Sequence, residues 1–187
     1  MPRDARNAPV GRTFHVWANG VANTFIFRDA LDREVMLRLL REETKLSNWT
    51  CLAYVVMSSH YHLLLRLTEP TLSSGFQRLN LRYAIHHNKR YGQRGHCFDQ
   101  RFQSTLVDDT PEDELEVARY IALNPTRAGL CRAPEDWAWS SYGATVGLYP
   151  AGRIIDLDAA LAPVGGSASA YRAFVEASDP RLRQATA

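Results

Sequence analysis

An α+β fold is predicted from the sequence, built on an antiparallel sheet with helices packed on one of its faces. Three observations carry that prediction: short runs rich in aromatic and β-branched residues, longer runs with apolar residues at helical spacing, and the order in which the two alternate. "TFHVWANG" (Thr13 to Gly20) alternates and predicts a first strand closed by a turn. Asp29 is placed as the N-cap of a helix in which Leu31, Val35, Leu39 and Leu46 recur, ending near Ser47. "WTCLAYVVM" and "YHLLLRL" are two apolar strands separated by "SSH", close enough to pair as a hairpin. Leu72 to Asn88 returns to helical periodicity, and "RFQSTLV" (Arg101 to Val107) predicts a fourth strand. Pro111 opens another helix, which runs towards Asn124 and is expected to stop at Pro125.

The resulting order, β-α-β-β-α-β followed by further helix, matches the ferredoxin-like topology, with the second sheet face left free for a site. Beyond Gly129 the pattern weakens. "EDWAWSSYGA" is expected to pack on the core, and "GGSAS" (Gly165 to Ser169) to link it to a short terminal helix.

At 187 residues the chain favours one domain with a core that needs no disulfide or structural metal. The net charge is only +2, so the total argues for no particular partner and charge has to be read locally. No stretch approaches the length of a membrane span, and "MPRDARNAPVGRTF" lacks the apolar run of a secretory signal; the expectation is a cytoplasmic protein with no membrane partner. Cys51, Cys97 and Cys131 are widely spaced with no CxxC pair, which argues against a disulfide framework or a zinc ribbon and for structural roles.

The chemistry-bearing stretch is "MSSHYHLLLR" (residues 57–66). In a strand His60 and His62 project side by side on one face and Tyr61 goes to the other. Alone, such a pair reads as two ordinary strand histidines; a third ligand changes that. In "ARYIALNP", Tyr120 and Asn124 are four residues apart and share a helix face. Facing the two histidines, they would give a divalent metal two nitrogens, one oxygen and open positions for substrate oxygens. A tyrosine is a poor nucleophile at its ordinary pKa of about 10 and needs a base or a polarised electrophile. Attack on a phosphodiester suits this set, because a metal can stabilise the charge developing on phosphate, and a phosphotyrosine link would conserve the bond energy for rejoining. Without the histidines, Tyr120 reads equally as a core or cap tyrosine.

"AYVVMSSHYHLLLR", "RGHCFDQRFQSTLVDD" and "ARYIALNPTRAGL", in this order and closed by "WSSY", resemble the single-tyrosine transposases with a His-hydrophobic-His motif, and most of all the REP-associated tyrosine transposases. The similarity runs from about Thr13 to about Leu148. It implies a ferredoxin-like catalytic domain over residues 13–148, between an N-terminal tail (1–12) and a C-terminal extension (149–187). It also implies cleavage and rejoining of single-stranded DNA next to palindromic hairpins with Mg2+ or Mn2+. By position, Tyr120 is the implied nucleophile, His60 and His62 the metal ligands, and Asn124 the third ligand. Ser58 and Ser59 stand where the family usually has Pro-Asn, and Tyr61 where it has an aliphatic residue; both departures bear on turn geometry more than on chemistry.

Between Arg78 and Ser104, six basic residues (Arg78, Arg82, Lys89, Arg90, Arg94, Arg101) face one acid, Asp99. Tyr83, Tyr91, Phe98 and Phe102 are interleaved with them, the combination expected of a surface that neutralises phosphates and stacks unpaired bases. Acids in Asp108 to Glu116 suit the first turn of a helix. The implied partner is single-stranded or hairpin DNA, bound by a monomer or homodimer. The alternatives are a domesticated hairpin-binding protein with little or no nuclease activity and, less favoured without a helicase domain, a replication-initiating relaxase.

Overall fold

The computed structural model describes residues 9–107 and 110–177; the start of the acidic run (Asp108, Asp109) and the ends of the tail and extension lie outside them. Strand β1 (Thr13–Asn19) leads to helix α1 (Ala30–Leu46), the hairpin β2 (Trp49–Val56) and β3 (His60–Leu67), helix α2 (Leu72–Tyr91), strand β4 (Gln103–Leu106) and helix α3 (Pro111–Arg127). Short helices α4 (Tyr142–Thr145), α5 (Leu157–Leu161) and α6 (Ala168–Glu176) follow. The sheet order is β2-β3-β1-β4 and every pairing is antiparallel, so the ferredoxin-like α+β arrangement is as the sequence predicts. Among the described residues no helix is long and apolar enough to cross a membrane.

Helices α1 and α2 cover one face. Phe14, Val16 and Ala18 of β1 and Tyr61, Leu63, Leu65 and Leu67 of β3 point into it, meeting Met36, Leu39 and Leu40 of α1 and Leu72, Phe76, Leu79 and Tyr83 of α2. Tyr61 is fully buried and its hydroxyl donates to Asn80 Oδ1 at 2.7 Å, on the side away from the histidines. The Asp29 carboxylate caps α1, accepting from Asp32 N at 3.2 Å. The buried stripe of α1 is displaced from the expected one: Leu31 and Leu46 are exposed, and Met36, Leu39, Leu40 and Glu43 face inward. Glu43 is tolerated there because Arg78 Nη2 and Ser47 Oγ each donate to its Oε1 at 2.6 Å.

Two helix ends differ from expectation. α2 runs on past Asn88, because nothing breaks it before Gly92, whose φ of 61° closes the helix in the left-handed region. α3 passes through Pro125 rather than stopping at it. Proline there removes one hydrogen bond near the helix end, and the terminus is made instead by Gly129 at φ 70°, with Gly129 N donating to Thr126 O at 3.0 Å and Leu130 N to Pro125 O at 2.9 Å.

The second sheet face is free only in part. A bulge between Cys51 and Ala53 interrupts the β2 register, and Leu52, Ala53, Val55 and Met57 with Leu64 of β3 form an apolar half-face. Leu115, Ala118, Ile121 and Ala122 of α3 cover it, together with Tyr142, Leu161, Tyr171 and Val175 of the C-terminal helices. "EDWAWSSYGA" packs as expected along the edge of β2: Trp137 Nε1 donates to Val56 O at 3.1 Å and Val56 N to Trp139 O at 2.9 Å. The β1–β4 half carries His15, Trp17, Asn19, Gln103 and Thr105, none of them buried.

Candidate active site

The uncovered half-face and α3 form one site. In the register of β1 against β3, Asn19 lies opposite His60, Trp17 opposite His62 and His15 opposite Leu64, and cross-strand partners share a face. The rings of His60 and His62 meet edge to face, with centroids 5.0 Å apart. His62 stacks on His15 at 5.1 Å, and its Nδ1 lies 3.0 Å from His15 Nε2. His60 Nδ1 lies 3.0 Å from Ser59 Oγ, and the Asn124 side chain neighbours the same imidazole.

Thr110 caps α3 by accepting from Asp113 N at 3.1 Å, with Pro111 in the first turn and Glu112, Asp113 and Glu114 favourable at its positive end. Burial of Leu115, Ala118, Ile121 and Ala122 over the apolar half-face turns Tyr120 and Asn124 towards the histidines. The Tyr120 ring stands edge-on to His62 at 5.5 Å and to His15 at 5.8 Å, and at 40% exposure it reaches solvent. The structure thus brings together all four residues singled out in the sequence: His60, His62, Tyr120 and Asn124. It adds three others. His15 and Trp17 join through the β1 register, with ring centroids 5.0 Å apart, and Arg127 sits seven residues after Tyr120 with its guanidinium 5.9 Å from the phenol ring. The alternation of β1 and the helical spacing of Arg127 were the available signals.

The imidazoles are held neutral. Burial, then the neighbouring His15 and His60, pushes His62 down to about 3, and burial takes His15 down to about 4. Burial lowers His60 too, with the neighbouring Asn124 side chain opposing it. A neutral imidazole keeps the lone pair that a metal needs. Among the described residues no three His, Cys, Asp or Glu side chains form a metal cage. Two imidazoles and an amide oxygen are a mixed donor set, the nitrogens suited to a transition cation and the amide oxygen to a harder one, which a divalent ion such as Mn2+ could share with substrate oxygens.

The basic segment divides. Arg78 pairs with Glu43 at 2.6 Å, Arg82 with Glu42 at 2.5 Å, and Arg90 with both Asp29 and Asp32 at 2.5 and 2.6 Å. Lys89, Arg94 and Arg101 are exposed, with no ion pair among the described residues. The interleaved aromatics are mainly core rather than stacking platforms. Tyr83 is fully buried and donates to Ile26 O at 2.6 Å, Phe98 and Phe102 are buried, and the half-buried Tyr91 donates to Asp32 Oδ2 at 2.7 Å under the Arg28 guanidinium.

No family model matches the sequence, and no curated protein matches it. Among solved structures the chain is similar to a REP-associated tyrosine transposase bound to a REP hairpin, with a TM-score of 0.63 over 79% of this chain and 90% of that one, at 20% identity. At that identity the likeness is one of fold: this chain shares the architecture of that transposase.

Proposed function

We propose that this protein cleaves and rejoins single-stranded DNA beside hairpins, as a metal-dependent endonuclease and strand transferase with Tyr120 as nucleophile. One observation carries the reading: the solvent-reaching phenol of Tyr120 stands against the histidine pair, 5.5 Å from the His62 ring, on a helix 58 residues further along the chain. A histidine pair serving only the sheet gives no reason for a tyrosine and an amide to converge on it from one helix face.

In this reading the Tyr120 oxygen attacks the scissile phosphorus, the bond from phosphorus to the leaving sugar oxygen breaks, and the phenol proton leaves to solvent. Rejoining is the reverse, with a strand hydroxyl displacing the phenolate. His60, His62 and the Asn124 oxygen would hold Mg2+ or Mn2+, which when bound supplies positive charge at the scissile phosphate. The Arg127 guanidinium adds charge from the helix end. Lys89, Arg94 and Arg101 are the basic residues left for phosphate contacts along the DNA, with Arg78, Arg82 and Arg90 tied in ion pairs. The hairpin bound by the structural neighbour supports hairpin DNA as the partner.

The test is incubation with hairpin oligonucleotides bearing single-stranded flanks and Mn2+, scored for a denaturant-resistant protein-DNA adduct. Tyr120→Phe should bind hairpin yet give neither adduct nor cleaved strand; Tyr61→Phe, on the opposite face, should stay active. An adduct mapped to another tyrosine, or cleavage by Tyr120→Phe, overturns the assignment. Tight hairpin binding by the parent protein with no cleavage would identify a binding protein instead.

A further inference from the structure

In each histidine of the pair the Nδ1 atom has a side-chain partner, and it is the same nitrogen in both. His60 Nδ1 lies 3.0 Å from Ser59 Oγ, and His62 Nδ1 lies 3.0 Å from His15 Nε2. We propose that Ser59 and His15 are positioning residues that hold the two Nδ1 atoms, so that both imidazoles turn Nε2 towards Asn124 and Tyr120 as the metal-binding nitrogens. This inference rests on the metal-dependent reading of the site.

The chemistry is that of an outer shell. A histidine binds metal through the lone pair of one nitrogen, and a partner on the other fixes both the tautomer and the ring angle. With its proton on Nδ1, His62 donates to the Nε2 lone pair of His15, which then carries its own proton on Nδ1. Ser59 accepts from His60 Nδ1 in the same way.

The backbone makes both partners rigid. Ser59 O accepts from Gly20 N at 2.7 Å and Ser58 O from Phe27 N at 2.9 Å, tying the hairpin turn to the chain after β1. A Cβ at Gly20 would lie 2.6 Å from Thr24 O, so the close approach there requires glycine. Arg33 Nη2 donates to Ser58 Oγ at 3.2 Å from below the turn. His15 is fixed between Trp17, at 5.0 Å, and the edge-on ring of Tyr120, at 5.8 Å. The same imidazole that orients a ligand therefore also borders the nucleophile.

The test is Mn2+ affinity of the full chain without DNA, read from the free-ion paramagnetic resonance signal, alongside strand cleavage. His15→Phe keeps a ring in place but has no acceptor, and should weaken Mn2+ binding about 10- to 100-fold. His15→Gln, whose amide oxygen can reach the same place, should stay within a few-fold of the parent. Ser59→Ala should weaken binding and Ser59→Thr restore it; this half-buried pair carries the test if His15→Phe does not fold. Unchanged affinity in both His15→Phe and Ser59→Ala, with loss in the His60→Ala/His62→Ala double variant, overturns the positioning role alone. Unchanged affinity in the double variant overturns the metal reading, and the inference with it.

Discussion

Arg78→Ala separates two roles that the basic segment could give this residue. The Glu43 side chain is 1% exposed and that of Arg78 42%, with 2.6 Å between Nη2 and Oε1. Removing the guanidinium leaves Glu43 with the Ser47 hydroxyl as its side-chain partner. One-sided removal of a buried ion pair costs about 3–5 kcal/mol. Water can enter the vacated, part-exposed side, which places this case at the lower end, about 3 kcal/mol. In a chain of this size about 1 kcal/mol moves Tm by about 2–4 °C, so the expected fall is about 6–12 °C in a thermal melt. Removing both charges as Glu43→Leu/Arg78→Leu should recover much of it. The paired assay is hairpin affinity by fluorescence anisotropy across a salt series. If Arg78 instead contacts phosphate, Tm stays within about 2 °C and the salt slope falls by about 1; that pair of results would refute the structural role.

Two further outcomes follow from named contacts. Arg90, through its hydrogen bond, lowers Asp29 to about 2, so this pair adds stability that is complete above the ordinary aspartate range and is lost as pH falls through about 2; the Tm difference between the parent and Arg90→Ala should shrink steadily below about pH 4, and a difference that grows on acidification would contradict it. Trp17→Ala, which removes an indole 6.4 Å from His62 on the uncovered half-face, should weaken binding of hairpins with single-stranded flanks by about 1–3 kcal/mol while leaving blunt hairpins unaffected in the same titration, since stacking needs an unpaired base.

Much of the fold was legible because its elements carry strong local signals: β1 alternates, β2 and β3 are apolar runs, Asp29 caps α1, and the hairpin spacing leaves little choice of partner. What the sequence hid was non-local. A local count of charge over Arg78 to Ser104 takes no account of Asp29, Asp32, Glu42 and Glu43, which arrive from α1 and neutralise half of those cations. Aromatic interleaving likewise does not distinguish a stacking surface from a core, and burial of Tyr83, Phe98 and Phe102 decides it. Leucines fall on more than one side of α1, so spacing alone did not say that Met36 rather than Leu31 faces the sheet. His60, His62, Tyr120 and Asn124 were readable as types at chemically sensible spacings. For His15 the alternation of β1 gave only a face; its place beside His62 follows from the β1–β3 register, which only the folded sheet displays.

The division of the second sheet face explains why the tyrosine sits where it does. Its β2–β3 half is aliphatic and buries the Leu115, Ala118, Ile121 and Ala122 stripe of α3, which fixes the rotation of that helix about its axis. Its β1–β4 half bears His15, Trp17, Asn19, Gln103 and Thr105 and offers an aliphatic stripe nothing to bury against. α3 is therefore anchored over one half with the flank bearing Tyr120, Asn124 and Arg127 turned over the edge of the other. Hydrophobic burial sets the helix, the helix aims the phenol, and the polar strands below remain uncovered. A phenol mounted on the covered half would have no solvent path, and one mounted on a loop would lack the fixed orientation that the proposed in-line attack on phosphorus needs.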